Sequence, residues 1–293
     1  MTRHGYGNTT LTTLLLSAAL AGVALVTGWQ LVGRWALFLL LGFLAAVGFS
    51  IAGTNPRLRL KGARPIRPVE APELYDMVER LSRRAGLPRA PDVAAVRSAS
   101  INAATVGGPD GATLILTDGI LSVLPPRELE AVIAHEIAHI RNRDLSIFRV
   151  AEVLRQATIL FTRAGWLLVI FAFPVLLVSG GLSAGALLAL LTAPFLSWIL
   201  QLALLRTREF AADASAAELT GDPEGLAQAL QRIEYVQRSL FRMLLPIGGD
   251  DGHPLFRTHP RTEDRVARLR AIRRRYRTDR RHRYTGDISL TWR

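Results

Sequence analysis

The chain has 293 residues, of which 49% are hydrophobic and 20% are charged. This composition excludes a disordered chain, which combines low hydrophobicity with high charge density. The 36 basic residues outnumber the 24 acidic ones and give a formal net charge of +12. The sequence contains no cysteine, which excludes disulfides, thiol nucleophiles and cysteine-bound metal clusters. A metal site in this chain must therefore use His, Asp and Glu side chains.

Three uncharged segments predict the membrane-spanning part of the protein. Residues 5–33, 35–56 and 164–205 contain no Asp, Glu, Lys, Arg or His. A helix needs about 20 residues to cross the hydrocarbon core of a bilayer. The first two segments therefore predict one span each, at roughly 10–30 and 35–53, and the third predicts two more, so that four transmembrane helices are expected.

Two other interpretations of the uncharged segments stay open. The first segment could be a cleaved signal peptide, with Arg3 and His4 as its basic start. The third segment could be a pair of helices that are buried in protein instead of lipid.

The basic residues predict an orientation, since Lys and Arg are enriched in cytoplasmic loops. Only Arg34 separates the first two spans, whereas five basic residues lie within 57–67. Both termini and residues 57–163 are therefore predicted to face the cytoplasm.

The polar segments predict a mainly α fold with a small β-sheet. Apolar residues that recur every three or four positions indicate helices, and β-branched runs beside turn residues indicate strands. Strands are predicted at 92–97 and 112–117, and residues 101–106 could pair with the second of these as a hairpin. Helices are predicted at 72–85, 125–142, 207–220, 223–241 and 261–277.

The sharpest chemical motif lies on the helix predicted at 125–142. His135 and His139 are four residues apart and share one helix face, where two imidazoles can bind a single Zn²⁺. Glu136 is offset by about 100° from His135, so it can reach a metal-bound water and take its proton without binding the metal. The alternative interpretation is a pair of surface histidines on an amphipathic helix.

A catalytic zinc usually has three protein ligands, and the best candidate for the third is Glu209. Asp213 lies one helical turn further on and could accept the free N–H of His135, although such a pair also occurs on solvated helix faces. His259 precedes a predicted helix and could hydrogen-bond an oxyanion. The alternative is that His259 is a surface turn residue.

The sequence resembles the HtpX-type membrane zinc metalloproteases, which are related to the prenyl-protein proteases that process CAAX termini. The resemblance covers roughly residues 70–272. It is carried by Glu128–His139 with Arg143-Asp144, by Arg208–Asp213, by Leu219–Pro223 and by Thr258–Pro260.

The resemblance implies a zincin-like catalytic domain that binds one Zn²⁺ per chain. His135, His139 and Glu209 would be the metal ligands, and Glu136 would be the catalytic base. The implied catalytic domain has two parts, one with the edge strand and the HExxH helix and one with the third ligand. The expected parts of the chain are a transmembrane hairpin at 1–56, catalytic segments at 57–163 and 206–277, a second hairpin at 164–205 and a basic tail at 278–293.

The resemblance also implies roles for residues around the metal. His259 and Arg265 match positions that stabilise the transition state. Asn102 and Ala103 match the start of an Asn-Ala-Phe-Ala segment, the edge strand that holds the substrate backbone. The chain departs from that pattern at the next two positions, Ala104 and Thr105.

The expected function is therefore a zinc endopeptidase that cleaves membrane or misfolded proteins at the cytoplasmic surface of a bacterial plasma membrane. Its partners would be membrane-protein or peptide substrates and the lipid bilayer, and quality control of damaged membrane proteins is the implied role. Two alternatives stay open: a CAAX-type prenyl-protein protease and a catalytically silent membrane scaffold.

The C-terminal region is rich in arginine, with ten Arg residues within 265–283. These residues could form a solvated helix face with a disordered end, or they could bind anionic lipid headgroups at about 1 kcal/mol per basic residue. Nucleic acid is disfavoured as a partner because no recognition module accompanies the basic residues.

Overall fold

The computed structural model describes residues 4–33, 37–38, 40–42, 45, 62–108, 111–179, 184–244 and 260–286. Their helices are α1 His4–Val32, α2 Pro72–Ala85, α3 Asp118–Val123, α4 Pro126–Arg141, α5 Asp144–Ser179, α6 Ala184–Thr220, α7 Pro223–Leu244 and α8 Thr262–Gly286. Their strands are β1 Ala63–Pro65, β2 Asp92–Val96, β3 Ala103–Gly108 and β4 Gly111–Thr117. The predicted mainly α fold with a small sheet is therefore confirmed.

The sheet is mixed and has the strand order β1-β2-β4-β3. Strand β2 runs parallel to β4, while β1 and β3 run antiparallel to β2 and β4 respectively. The predicted hairpin is confirmed as β3 and β4, which pair from Ala103 opposite Leu116 to Gly108 opposite Gly111. The hairpin depends on Gly107, whose φ is +103° and whose added Cβ would lie 2.2 Å from the Gly111 carbonyl oxygen.

The chain divides into two compact units, Met1–Arg59 with Ser146–Arg208 and Leu60–Leu145 with Glu209–Arg293. In the second unit the core joins the sheet to α2, α4, α7 and α8. Its fully buried side chains include Leu81, Leu114, Ile133, Leu226 and Leu269. Helix α4 lies in the middle of this core, and Pro126 occupies its first turn, where the missing N–H costs no helical hydrogen bond.

Helix α6 is longer than the sequence predicts. The helix expected at 207–220 is the last part of a continuous helix that begins at Ala184 and contains Pro194. Long apolar helices tolerate an internal proline because neighbouring groups satisfy the backbone atoms that it leaves unbonded.

Two of the described helices are long and apolar enough to cross a membrane. They are Thr9–Gln30 and Ala184–Thr220, as judged by length and composition, and 28% of the apolar window of each is buried. Their exposed side chains include Leu14 at 62% and Leu188 at 61%, whereas the core helix of a soluble protein would be mostly buried. The count of four spans stays a prediction, because most of the span predicted at 35–53 lies outside the described residues.

We expect Leu114→Ala to lower the free energy of unfolding by about 2–5 kcal/mol, because it leaves a cavity under α4 in the core of the second unit. Leu114 is 0% exposed, and Val69, at 84% exposed, provides the matched control. Val69→Ala should change stability by less than about 0.5 kcal/mol. Denaturant unfolding of the detergent-solubilised protein measures both, and equal effects would contradict the described core.

Candidate metal centre

Helix α4 brings two imidazoles together inside the second unit. His135 and His139 are both buried, and their Nε2 atoms lie 3.1 Å apart. The four-residue spacing on a continuous helix produces this geometry, since it places both rings one turn apart on the same face.

Glu209, on α6, completes a group of three donors. Its Oε2 lies 3.7 Å from Nε2 of His135, and its Oε1 lies 3.6 Å from Nε2 of His139. One donor atom from each residue falls within 4.8 Å of the other two. The structure therefore brings together the three residues that the sequence singles out as metal ligands, and this group could hold a metal ion.

The outer nitrogens of both rings face carboxylates. Nδ1 of His135 lies 3.0 Å from Oδ1 of Asp213, and Nδ1 of His139 lies 2.7 Å from Oδ2 of Asp144. When each Nδ1–H donates to its carboxylate, both Nε2 lone pairs point into the space in front of Glu209. A tetrahedral Zn²⁺ bound at about 2.0–2.1 Å separates two nitrogens by about 3.3 Å, close to the observed distance. The donor set therefore fits a divalent ion.

Asp144 is a member of the site for which the sequence analysis predicted no role. Helix α4 ends at Arg141, and Arg143 then adopts φ +57°, a left-handed conformation that is uncommon for a residue with a side chain. This turn returns the chain, so that the fully buried carboxylate of Asp144 meets His139. The available signal was an acidic residue just past the helix end, five positions after the second His.

Arg265, on α8, joins two of the carboxylates. Its Nε and Nη2 donate hydrogen bonds of 2.8 and 2.6 Å to Asp213, and its Nη1 lies 3.4 Å from Oε2 of Glu209. Burial lowers the pKa of Arg265, but the Asp213 and Glu209 carboxylates raise it by more, so that the net shift is upward. The guanidinium therefore stays charged and offsets part of the negative charge of the site.

Glu136 is half-buried beside the two histidines. Its Oε2 accepts a 2.9 Å hydrogen bond from Oγ1 of Thr105 on strand β3. In the sequence, Thr105 stands out only as a departure from the Asn-Ala-Phe-Ala pattern. The side chain of Glu136 also lines the cavity next to the metal centre.

That cavity has a volume of about 490 Å³. Asn102 and Ala103 lie on its wall together with Arg265. Apolar side chains form one part of the wall, namely Ile120, Val132, Leu226, Leu230 and Ile233, and polar side chains form another, namely Glu234, Gln237, Arg238 and Thr262. His259 lies outside the described residues, whereas its neighbour Pro260 lines the cavity.

Strand β3 has a partner on one side only among the described strands. The main chain of Asn102 is hydrogen-bonded to β4: its carbonyl accepts a hydrogen bond of 3.1 Å from the Thr117 N–H. In an antiparallel pair the residues that bond to the partner strand alternate with residues whose main chain points away. The main-chain groups of Ala103 and Thr105 therefore point to the open edge of the sheet.

The charge of the site sets the protonation of His139. Burial lowers the pKa of His139, but its hydrogen bond to Asp144 and the nearby Glu209 carboxylate raise the pKa by more, to about 10. Without a metal ion the ring is therefore an imidazolium at neutral pH. A proton and a metal ion compete for its Nε2 atom, because a ligand must be deprotonated to bind.

Comparison with known proteins places this arrangement in a family. Residues 68–273 match the model described as "Peptidase family M48". The chain belongs to peptidase family M48. The matched range includes helix α4 and Glu209. Membership of family M48 identifies the chain as a metalloendopeptidase. The enzyme predicted from the sequence is thus confirmed, and the silent scaffold is disfavoured.

Several curated relatives of this M48 chain have the name "Protease HtpX homolog". One from Trichormus variabilis is 37% identical over 286 residues, covering 88% of this chain and 94% of the relative. One from Persephonella marina is 35% identical over 284 residues, covering 91% and 98% respectively. One from Pyrococcus abyssi is 43% identical over 223 residues, covering 72% and 76%. The predicted HtpX-type relationship is confirmed.

A solved structure described as "Crystal Structure of S. mikatae Ste24p" aligns with a TM-score of 0.48 and 19% identity. The alignment covers 92% of this chain and 66% of that one.

We expect Zn²⁺ binding near pH 7 to release about one proton per chain, because the pKa of about 10 keeps metal-free His139 protonated. The contribution of His139 to this number should disappear as the pH rises through 10, where the ring is already neutral. Titration calorimetry in buffers of different ionisation enthalpy measures this number. Binding without net proton release near neutral pH would contradict the prediction.

The matched variants for that titration are Asp144→Asn and Asp76→Asn. Asp144→Asn removes a carboxylate that raises the pKa of His139, so metal binding to this variant should release fewer protons. Its affinity for the metal should be about 10–100-fold weaker. The second makes the same change at an exposed position on α2 and should behave as the wild type.

Proposed function

We propose that this metalloendopeptidase uses Zn²⁺ and cleaves membrane or misfolded proteins at the cytoplasmic face of a bacterial plasma membrane. The observation that carries the proposal is the group of His135, His139 and Glu209, whose donor atoms converge within 4.8 Å with Glu136 beside them. Two nitrogens and a carboxylate are a donor set that Zn²⁺ accepts while one position stays open for catalysis.

In this proposal the ligands are His135, His139 and Glu209, and the residues behind them keep them in place. Asp144 accepts the Nδ1–H of His139, and Asp213 lies 3.0 Å from Nδ1 of His135, which favours the tautomer in which each Nε2 can bind a metal. A bound Zn²⁺ supplies Lewis-acid polarisation of the scissile carbonyl and lowers the pKa of an attacking water to about 7.

Glu136 acts as the general base in the proposed reaction. Its carboxylate accepts a proton from the attacking water, whose oxygen forms a bond to the carbonyl carbon of the peptide. Glu136 then returns that proton to the amide nitrogen as the carbon–nitrogen bond breaks, and the products are a carboxylic acid and an amine. Positioned acid–base catalysis of this kind contributes about 10²–10⁴-fold to a rate.

The substrate docks in extended form against strand β3. The main-chain groups of Ala103 and Thr105 at the open edge can pair with a peptide, as in other cases of strand addition. The cavity between β3, α4 and α7 takes the substrate side chain beside the scissile bond. Asn102 lies on the cavity wall at the start of the strand, where the resemblance implies substrate contact.

Arg265 and His259 retain the transition-state roles that the resemblance implies for them. For Arg265 the support is that its buried side chain lines the cavity while it also holds Glu209 and Asp213. His259 directly precedes Pro260, which contributes to the wall of the same cavity.

Membrane substrates are supported by the path of helix α6. Glu209 lies four positions beyond Leu205, the last residue of the third uncharged segment, on the same continuous helix. Four positions correspond to about 6 Å along the axis. A metal ligand that close to an apolar helix segment favours polypeptides that emerge from the lipid.

The arginines of α8 and of the tail at 278–293 are proposed to bind anionic lipid headgroups. Three arginines of α8 form contacts within the protein. Arg270 and Arg273 form ion pairs with Glu224, and Arg268 stacks on the ring of Phe210. The basic residues further along the chain are therefore the main candidates for lipid contact.

We expect Glu136→Gln to lower the rate of casein cleavage at least about 100-fold while the protein keeps about one Zn²⁺ per chain, because only the base is lost. Glu130→Gln is the matched control, as it makes the same change on the same helix, where Glu130 forms a half-exposed ion pair with Arg80. Glu209→Ala should lose the metal as well as the activity. Wild-type cleavage by Glu136→Gln would refute the proposed mechanism.

The absence of cysteine allows a direct test of orientation. We expect Val69→Cys, at an exposed site in the first catalytic segment, to react with a membrane-impermeant maleimide only after the membrane is permeabilised. Arg34→Cys, in the predicted outer loop, should react in intact spheroplasts. The reverse pattern would place the catalytic segments outside the cytoplasm.

A further inference from the structure

Thr105 contacts the proposed base from a different element of the fold. Its Oγ1 donates a 2.9 Å hydrogen bond to Oε2 of Glu136, across 31 positions of sequence. Thr105 is buried, whereas Glu136 is half-buried and faces the cavity. We propose that Thr105 is a positioning residue that holds the carboxylate of Glu136 for proton transfer. This inference rests on the proposed function, in which Glu136 is the base.

The donor is held rigidly. A β-branched side chain has restricted χ1 freedom, so the hydroxyl direction is set by the backbone of the strand. That backbone is fixed by the pairing of Thr105 with Leu114 in the β3–β4 ladder. Before the strand begins, Nε2 of Gln237 on α7 donates a 3.2 Å hydrogen bond to the carbonyl of Ile101. A hydroxyl on a paired strand positions its partner more accurately than one on a loop.

The carboxylate gains a defined orientation from this contact. The terminal torsion of a glutamate side chain is broad, so an unheld carboxylate samples many angles. With one oxygen of Glu136 held by Thr105, the other oxygen is the one that accepts the proton of the water. Thr105 keeps its own proton throughout, and no bond to it forms or breaks. A hydrogen bond to a charged acceptor is also stronger than one between neutral groups.

Thr105 has a second connection, through its main chain. Its N–H and carbonyl point to the open edge of β3, while its side chain points to α4. A peptide that pairs along the edge therefore binds the residue whose hydroxyl orients the base. Substrate position and base orientation share one rigid strand, which supports a role for this threonine in the chemical step.

The decisive substitution is Thr105→Val, which keeps the shape of the side chain and removes the donor. We expect kcat to fall about tenfold, as for the loss of a hydrogen bond to a charged group, while KM stays within about twofold. The metal content should remain at about one per chain. Thr105→Ser restores a hydroxyl and should recover most of kcat, and Thr105→Ala, which adds no bulk, should repeat the loss if Thr105→Val folds poorly.

The matched control is Thr113→Val, the same change on the adjoining strand β4, which should leave kcat unchanged. Wild-type kcat in both Thr105→Val and Thr105→Ala would overturn the inference, as would a kcat of Thr105→Ser as low as that of Thr105→Val. A rise in KM with unchanged kcat would also overturn it, because it would assign Thr105 to substrate binding. If Glu136→Gln cleaves at the wild-type rate, the proposed function fails instead.

Discussion

The structure depends on one buried cluster of opposite charges. Asp213 and Glu209 lie against the guanidinium of Arg265, and the two histidines of α4 face carboxylates on both of their nitrogens. Separate burial of such charges would cost several kcal/mol each, so each is tolerable only because it lies within ion-pair distance of a partner. The same ion pairs therefore determine the geometry of the metal ligands and the stability of the structure around them. A substitution that changes one is expected to change the other.

The fold provides the supports that this cluster requires. Helix α4 gives the two rings their spacing, the left-handed turn at Arg143 returns Asp144, and α6 carries both Glu209 and Asp213 one turn apart. The sheet contributes β3, which lies beside α4 with one edge open. Two helices, one turn and one strand thus place an acid–base group, a metal-binding group and a peptide-binding edge around a single cavity. The apolar lining of that cavity is continuous with the core of the unit.

The elements that the sequence predicts well are those with local signals. The apolar periodicity of α4 and its His spacing define the helix and its two donor rings, and an isolated polar pair next to an apolar segment was enough to select Glu209. The two site residues that the sequence did not reveal, Asp144 and Thr105, depend on tertiary structure for their contacts. Asp144 acts through a backbone turn that no periodicity reveals, and the contact of Thr105 with Glu136 requires strand β3 to pack on α4. Strand β1 has three residues, too few for a pattern.

The arrangement of Arg265 has a consequence for how the domain forms. The segments that form the centre follow one another in chain order, α4 first, then the later part of α6, and α8 last. During biosynthesis the acidic groups of the centre are therefore made before the cation that neutralises them. A nascent chain that stops short of α8 would have to bury Asp213 and Glu209 without the guanidinium of Arg265, which is unfavourable. Electrostatics thus favours a closed centre only in a chain that includes the helix with the guanidinium.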